Sequence, residues 1–520
     1  MTKTQIRGVW VETRNIKNVI VLLFDSLNRH MLGSYGGTEF TTPNFDAFAA
    51  RSLRFNRHFT GSLPCMPARH DILVGAMDFL WRPWGSIELW EDAITYAMRR
   101  RGVTTMLVAD HPHLFETGGE NYHTDFKAWD YLRGHESDPW KTRPDPSWQG
   151  TPHFYPRDMP YDNSRGYFSG EEDFPGPRTM QATSAWLRDH APHHDSFFLF
   201  VDEFDPHEPF DTPDRWSRMY DEDWEGDALI WPPYAVGAVE KGMITAREGR
   251  QIRAQYGAKL SMIDHWFGQV MTTLEETGRL DDTLVILTTD HGHYLGEGDI
   301  WGKPGTPVQK ALGHIPLMIA GPGITPGEHD ALTTSVDIFA TLADVYDLEV
   351  RQRTHGRSLM PLLTGRETSV RDYVLTGVWG REVQVTDGTH LFARAPADEN
   401  APLAMYSNRW STMPIHVNGP DGTEIMTRDI FPMPDDRATL AKMPGSTVPV
   451  IRQPFQPGDM LPYWAGRKFT GDHLYELSAP PGEEPDRADS SDAKTYRDLL
   501  RHALDDVEAP REQYQRLGLA

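Results

Sequence analysis

Five short apolar or β-rich runs recur along the chain, at residues 19–24 (Val-Ile-Val-Leu-Leu-Phe), 104–108, 197–201, 283–287 and 315–319. Between them lie stretches of helical composition at 91–101, 179–190 and 246–277. A strand that is apolar at every position buries both faces, which is the habit of mostly parallel sheets covered by helices. The expected class is therefore α/β, with one large, mostly parallel sheet sandwiched by helices. After about residue 364 the pattern changes. Val383-Gln384-Val385-Thr386, Asp387-Gly388 and Thr389-His390-Leu391-Phe392 read as a hairpin, Asp-Gly supplying the two positive-φ residues of a type I′ turn. Residues 492–507 read as a terminal amphipathic helix. We expect a large domain over 1–369 and a smaller antiparallel α+β subdomain with tail over 370–520. Within the first, 135–177 reads as an irregular insertion dense in Pro, Gly, acids and aromatics (Trp140, Trp148, Tyr155, Tyr161, Tyr167).

Composition narrows the function classes. The 520 residues carry 51 Lys+Arg against 75 Asp+Glu, a net charge of −24, which argues against a nucleic-acid partner, whose footprint would be basic. The longest apolar run, 19–24, falls far short of the roughly 20 residues of a membrane span, so no membrane partner is expected. Residues 1–18 carry Arg7, Glu12, Arg14 and Lys17 and lack a secretory apolar stretch, so a cytoplasmic protein is expected. Cys65 is the single cysteine, which excludes an intrachain disulfide and a Cys-rich zinc site.

The residues at the ends of the runs are chemically richer. Asp25 closes the first, Asp110-His111 the second, Asp202 to His207 the third and Asp290-His291 the fourth. Ligands of open α/β sheets bind at the carboxyl ends of strands, so these four ends are expected to converge on one polar site. The plainer reading has each residue merely capping a turn. Cys65 lies in Ser62-Leu63-Pro64-Cys65-Met66-Pro67-Ala68-Arg69. A free cysteine is usually a small buried hydrophobe. Here Arg69, four positions on, could turn back beside it at a helix start, and guanidinium and helix N-terminus together would lower a thiol pKa or hold an oxyanion. Both readings stay open on the residues alone.

Cys65-Met66-Pro67-Ala68-Arg69 resembles the Cys-x-Pro-x-Arg signature of the type I, formylglycine-dependent sulfatases of the alkaline phosphatase superfamily. Companion segments stand in family order. They are Asn18 through Asp25, Pro206-His207-Glu208-Pro209-Phe210, and Thr289-Asp290-His291-Gly292 through Leu295-Gly296-Glu297 to Trp301-Gly302-Lys303. Further on come Ile315-Pro316-Leu317 with Gly321-Pro322-Gly323, Gly356-Arg357-Ser358-Leu359 and His473-Leu474-Tyr475-Glu476-Leu477. The resemblance spans Asn18 to Leu477 and implies a sulfatase-like catalytic domain over 1–369.

The resemblance implies sulfate-ester hydrolysis through a hydrated aldehyde made from Cys65 by a formylglycine-generating enzyme. One gem-diol hydroxyl attacks sulfur and expels the alcohol; loss of a proton from the other expels sulfate and restores the aldehyde. By position, Asp25, Cys65, Asp290 and His291 would bind one divalent cation. Arg69 would hold the gem-diol oxygen, His207 would protonate the leaving alcohol, and Lys303 would contact the sulfate. His113 is the candidate base, with His111 its rival for the family position and a candidate substrate contact; His314 is a further substrate contact. Many relatives have two aspartates where this chain has Asp25-Ser26, Asp-Asn-Gly where it has Asp290-His291-Gly292, and a lysine where it has His111. The mixed oxygen and imidazole shell points to calcium, with manganese second. The alternatives are a phosphonate monoester or phosphate diester hydrolase using the same site, and a non-catalytic metal-binding protein. Trp81, Trp84 and Trp90 are candidates for a leaving-group pocket or for core. The insertion and the tail are candidate contacts of a homo-oligomer.

Overall fold

The computed structural model describes residues 16–143, 160–303, 305–413 and 433–520, except 463, 467 and 468, and the backbone of the short strands Val417–Asn418 and Glu424–Ile425. Trp148 and Tyr155 of the expected insertion, and residues 1–15, lie outside the described residues.

The first nine strands of the two principal sheets are β1 (Asn18–Phe24), β2 (Leu53–Phe59), β3 (Ser62–Leu63), β4 (Thr104–Ala109), β5 (Ala128–Tyr131), β6 (Phe197–Glu203), β7 (Thr283–Thr288), β8 (Leu317–Ala320) and β9 (Gly327–Thr334). All but β3 form one eight-stranded sheet in the order β9-β2-β8-β7-β1-β6-β4-β5. Neighbours run parallel except β8, which is antiparallel to both β2 and β7. Helices α1 (Cys65–Val74), α2 (Ile94–Arg100), α3 (Pro175–Asp189), α4 (Ala246–Glu276) and α5 (Val336–Val345) cover its two faces.

The alternation along β1 explains why the sheet needs both layers. Val19, Val21 and Leu23 enter one core with Ile72, Met98 and Leu342 of α1, α2 and α5. Ile20, Leu22 and Phe24 enter the other with Leu187, Tyr256 and Leu260 of α3 and α4. All six side chains are fully buried, each contributing about 1.5–3 kcal/mol relative to exposure. The 31-residue α4 starts where Thr245 and Glu248 cap each other reciprocally: Thr245 Oγ1 accepts from Glu248 N (3.1 Å), and Glu248 Oε2 accepts from Thr245 N (2.6 Å). Gly257 lets this helix close on Phe40, because a Cβ there would stand 2.2 Å from the ring.

The C-terminal region supplies β10 (Val374–Val378), β11 (Val383–Thr386), β12 (His390–Arg394) and β13 (Asp472–Glu476), antiparallel neighbours in the order β13-β12-β11-β10. Their fifth partner is β3, paired parallel to β10 through Ser62 and Gly377 and through Leu63 and Val378. The strand that leads into Cys65 is thus held by the C-terminal sheet. Helix α6 (Asp492–Asp506) packs on that sheet through Tyr496, Leu500 and Leu504. The hairpin is as expected, but its turn is not type I′. Gly388 has φ +83° while Asp387 does not enter the left-handed region; instead Asp387 Oδ1 accepts from Thr389 N (2.8 Å) and His390 N (2.9 Å). Among the described residues no helix is long and apolar enough to cross a membrane.

Candidate active site

Strands β7, β1, β6 and β4 are adjacent and parallel, so their carboxyl ends deliver Asp290 and His291, Asp25, Asp202, and Asp110 and His111 to one edge of the sheet. Cys65 opens α1 above that edge. Its approach is held by Asp71, which accepts from Ser62 N (2.6 Å) and Ser62 Oγ (2.7 Å). One turn on, the fully buried Arg69 spreads its guanidinium across three strand ends. It donates to Asp202 through Nε (2.8 Å) and Nη2 (2.6 Å), to Asp25 (2.9 Å), to Asp290 (2.7 Å) and to the carbonyl of Cys65 (3.0 Å). Asp202 is the residue that reading the sequence did not assign. The bidentate pairing makes it the orienting partner of Arg69, and its place at a strand's carboxyl end was the signal.

Asp25, Cys65, Asp290 and His291 are all buried, with one ligand atom each lying within 4.8 Å of the others. His291 Nδ1 must carry its proton, since it faces the carbonyl of Gly292 at 2.9 Å. The free lone pair is therefore on Nε2, the atom 3.3 Å from Cys65 Sγ and 3.4 Å from Asp290 Oδ2. Burial and the facing Asp290 push Asp25 well up. Burial works the same way on Asp290, but His291 and Arg69 outweigh it and hold that carboxyl down. Two carboxylates, an oriented imidazole lone pair and residue 65 fit a divalent cation, whose charge would relieve the repulsion between the aspartates. Ser26, where many relatives carry a second aspartate, serves the ligands rather than joining them. At φ +62° its N–H reaches Asp290 Oδ1 (3.1 Å), and its hydroxyl donates to Asp25 Oδ1 (2.8 Å).

A second group stands beside Cys65. Lys303 Nζ is 3.7 Å from Cys65 Sγ and 2.7 Å from His207 Nε2. His207 Nδ1 faces the Glu208 carbonyl at 2.9 Å and the Glu208 carboxylate at 3.2 Å. His111, fully buried, stands 3.7 Å from Asp25 Oδ2; among the described residues neither of its ring nitrogens has a hydrogen-bond partner. His113 meets Glu116 through Nδ1 and stands 3.6 Å from Glu136 through Nε2. Its ring is edge-on to Trp84 and to His111, at centroid distances of 5.0 and 5.3 Å. Trp84 therefore reaches the site, whereas Trp81 and Trp90 pack into the core under the C-terminal sheet. His314 is not brought to the cluster. It stacks on Phe59 and bonds the carbonyl of Asn56 (2.7 Å), both residues of β2.

Electrostatics decide the state of the thiol and separate the histidines. The thiol of Cys65 is pushed well up, not down: burial and the Asp25 charge outweigh Lys303, and the Arg69 guanidinium is already committed to carboxylates. The histidines also differ from each other. Burial and Lys303 hold His207 well below the usual imidazole range despite Glu208. His113 is desolvated too, but Glu116 prevails and raises it. At rest, then, His207 is neutral and accepts from the Lys303 ammonium, while His113 tends to hold its proton.

Residues 17–348 match the sulfatase family model. Among curated proteins, the chain is 28% identical to a choline-sulfatase of Rhizobium meliloti (strain 1021) over 422 residues, covering 73% of this chain and 78% of that one. It is 26% identical to the multifunctional alkaline phosphatase superfamily protein PehA of Trinickia caryophylli, covering 67% and 77%. Among solved structures, a phosphonate monoester hydrolase of Agrobacterium radiobacter shares the fold at a TM-score of 0.61 and 18% identity, over 95% of each chain.

Proposed function

The chain belongs to the sulfatase family, and on that premise we propose that it hydrolyses sulfate esters to alcohol and sulfate, with Cys65 as the precursor of a formylglycine. The observation that carries this reading is the position of Cys65. It stands at the first residue of α1, 3.3 Å from the His291 lone pair and 3.7 Å from the Lys303 ammonium, with Asp25 and Asp290 beside it. A pure binding module has no use for a buried lysine at that atom backed by His207.

Asp25, Asp290, His291 and residue 65 would hold the divalent cation, calcium before manganese, which when bound supplies Lewis-acid activation of the nucleophile. Hydrated formylglycine offers two hydroxyls. One would attack sulfur as the sulfur–alkoxy bond breaks, its proton replacing the one that the Lys303–His207 pair gives to the departing oxygen. The other gives up its proton to His113, sulfate leaves, and the aldehyde is restored. Arg69 keeps residue 65 and the aspartates in register, and Lys303 also faces the sulfate oxygens. His111, whose ring nitrogens have no hydrogen-bond partner among the described residues, is a further polar group to meet the substrate.

The reading rivalling it on the same site is hydrolysis of phosphonate monoesters or phosphate diesters. Ser26 and His291, where many sulfatases carry other residues, keep it in play, and one negative charge on either substrate class leaves charge neutral in the choice. The test is the mass of the peptide containing Cys65 after expression with a formylglycine-generating enzyme, followed by paired sulfate and phosphonate assays. Replacement of the thiol by an aldehyde supports the hydrolase. A retained thiol overturns it and leaves the metal-binding reading.

A further inference from the structure

Behind the site, the fully buried cluster around Asp205 has no part in the proposed chemistry. Lys259 of α4 reaches it from the opposite layer of the fold. Its Nζ lies 2.7 Å from Asp205 Oδ1 and donates to the carbonyl of Pro209 at 2.6 Å, with only 3% of the residue exposed. His135, at the start of the expected insertion, adds a contact to the same Asp205 oxygen at 2.7 Å. Asp205 and Pro209 are the two ends of a five-residue segment whose middle residue is His207. Between those ends, His207 N donates to the Phe204 carbonyl (2.9 Å), the Phe204 ring stacks on the imidazole at 4.2 Å, and the Glu208 carboxylate is held by Tyr234 and by His293. One ammonium on a rigid 31-residue helix therefore spans both ends of the segment that presents His207 to Lys303.

We infer that Lys259 is a positioning residue for the proton-donating step: it clamps residues 205–209 so that His207 Nε2 stays within hydrogen-bond reach of Lys303 and the departing oxygen. This rests on the sulfate-ester reading of the site. A slack segment displaces the imidazole without removing it, and small misplacements of a reacting group are costly in rate. Because proton donation matters most when the leaving alcohol is weakly acidic, the loss falls unevenly across substrates.

The experiment uses the mature, metal-loaded full chain and a series of aryl and alkyl sulfate esters that spans the acidity of the leaving alcohol. For Lys259→Met we expect an unchanged KM and a kcat loss about tenfold larger for the least acidic alcohol than for the most acidic. The Lys259→Arg variant, which keeps a cation toward Asp205 and Pro209, should fall between this and wild type. A loss of equal size on every ester, the mark of a merely structural lysine, overturns the inference while leaving the sulfatase reading intact. A wild-type enzyme inactive on the whole series overturns that reading and the inference with it. Should Lys259→Met not fold, the Lys259→Arg series decides, and a leaving-group dependence identical to wild type overturns the assignment.

Discussion

Lys303 Nζ and His207 Nε2 stand 2.7 Å apart beneath the Cys65 thiol, close enough that the two side chains share one proton site. His207 Nδ1 is turned to the Glu208 carbonyl, so Nε2 is the acceptor and the lysine the donor. Groups coupled this tightly act as a unit. Lys303→Ala and His207→Ala should each lower kcat by about 10²–10⁴-fold without loss of the fold, and the double variant should be scarcely worse than either single. Steady-state kinetics with circular dichroism checks this; multiplicative losses would show two independent roles.

His113 gives the pH profile a direction. Burial alone would depress its pKa, but Glu116 against Nδ1 raises it. As a base, His113 must be neutral, so activity should rise with pH through its pKa. Glu116→Gln removes the raising charge, and the acidic limb of the kcat profile should move to lower pH. A limb that stays in place, or moves up, removes His113 from that step.

The donor set around Cys65 makes activity depend on a cation. Incubation with a chelator should abolish turnover, and re-addition of calcium should restore it more fully than manganese. Bound metal can be read independently by elemental analysis, with Asp25→Ala or Asp290→Ala expected to lose it. Turnover indifferent to chelator would refute the metal role.

Acid stability should carry the signature of His58, fully buried beside Thr333 and pushed down to about 3 by burial, Arg29 and Arg371. Between about pH 6.5 and 3 the unfolded chain takes up a proton that the folded one refuses. The stability contributed by keeping His58 neutral is thus present above the unfolded pKa and lost as pH falls, by up to about 1.4 kcal/mol per pH unit. His58→Asn should flatten that slope in denaturant unfolding at pH 7 to 4. An identical slope in the two proteins would count against a neutral buried imidazole.

The chain by itself determined the layered class and the side of the sheet on which chemistry would gather. An uninterrupted apolar run such as Val19 to Phe24 has no stable place except between two layers, and parallel strands must end together. The Cys65 segment and its companions were legible for the same reason, as local runs of residues. Tertiary structure decided what those residues do to one another. Asp202 became the partner of Arg69, and β3 was held by a sheet more than 300 residues away, through contacts that no local pattern encodes. The same holds for charge. A helix start beside an arginine predicts a low thiol pKa, yet Cys65 is pushed up, because three aspartates from three strands consume the guanidinium and the fold excludes water. Likewise the ring of His314 is taken up by Phe59 and the Asn56 carbonyl, although the neighbouring Gly313 pairs with Thr60 beside Asp290. Protonation and partner choice depend on desolvation and on distances between remote segments, and these exist only once the chain has folded.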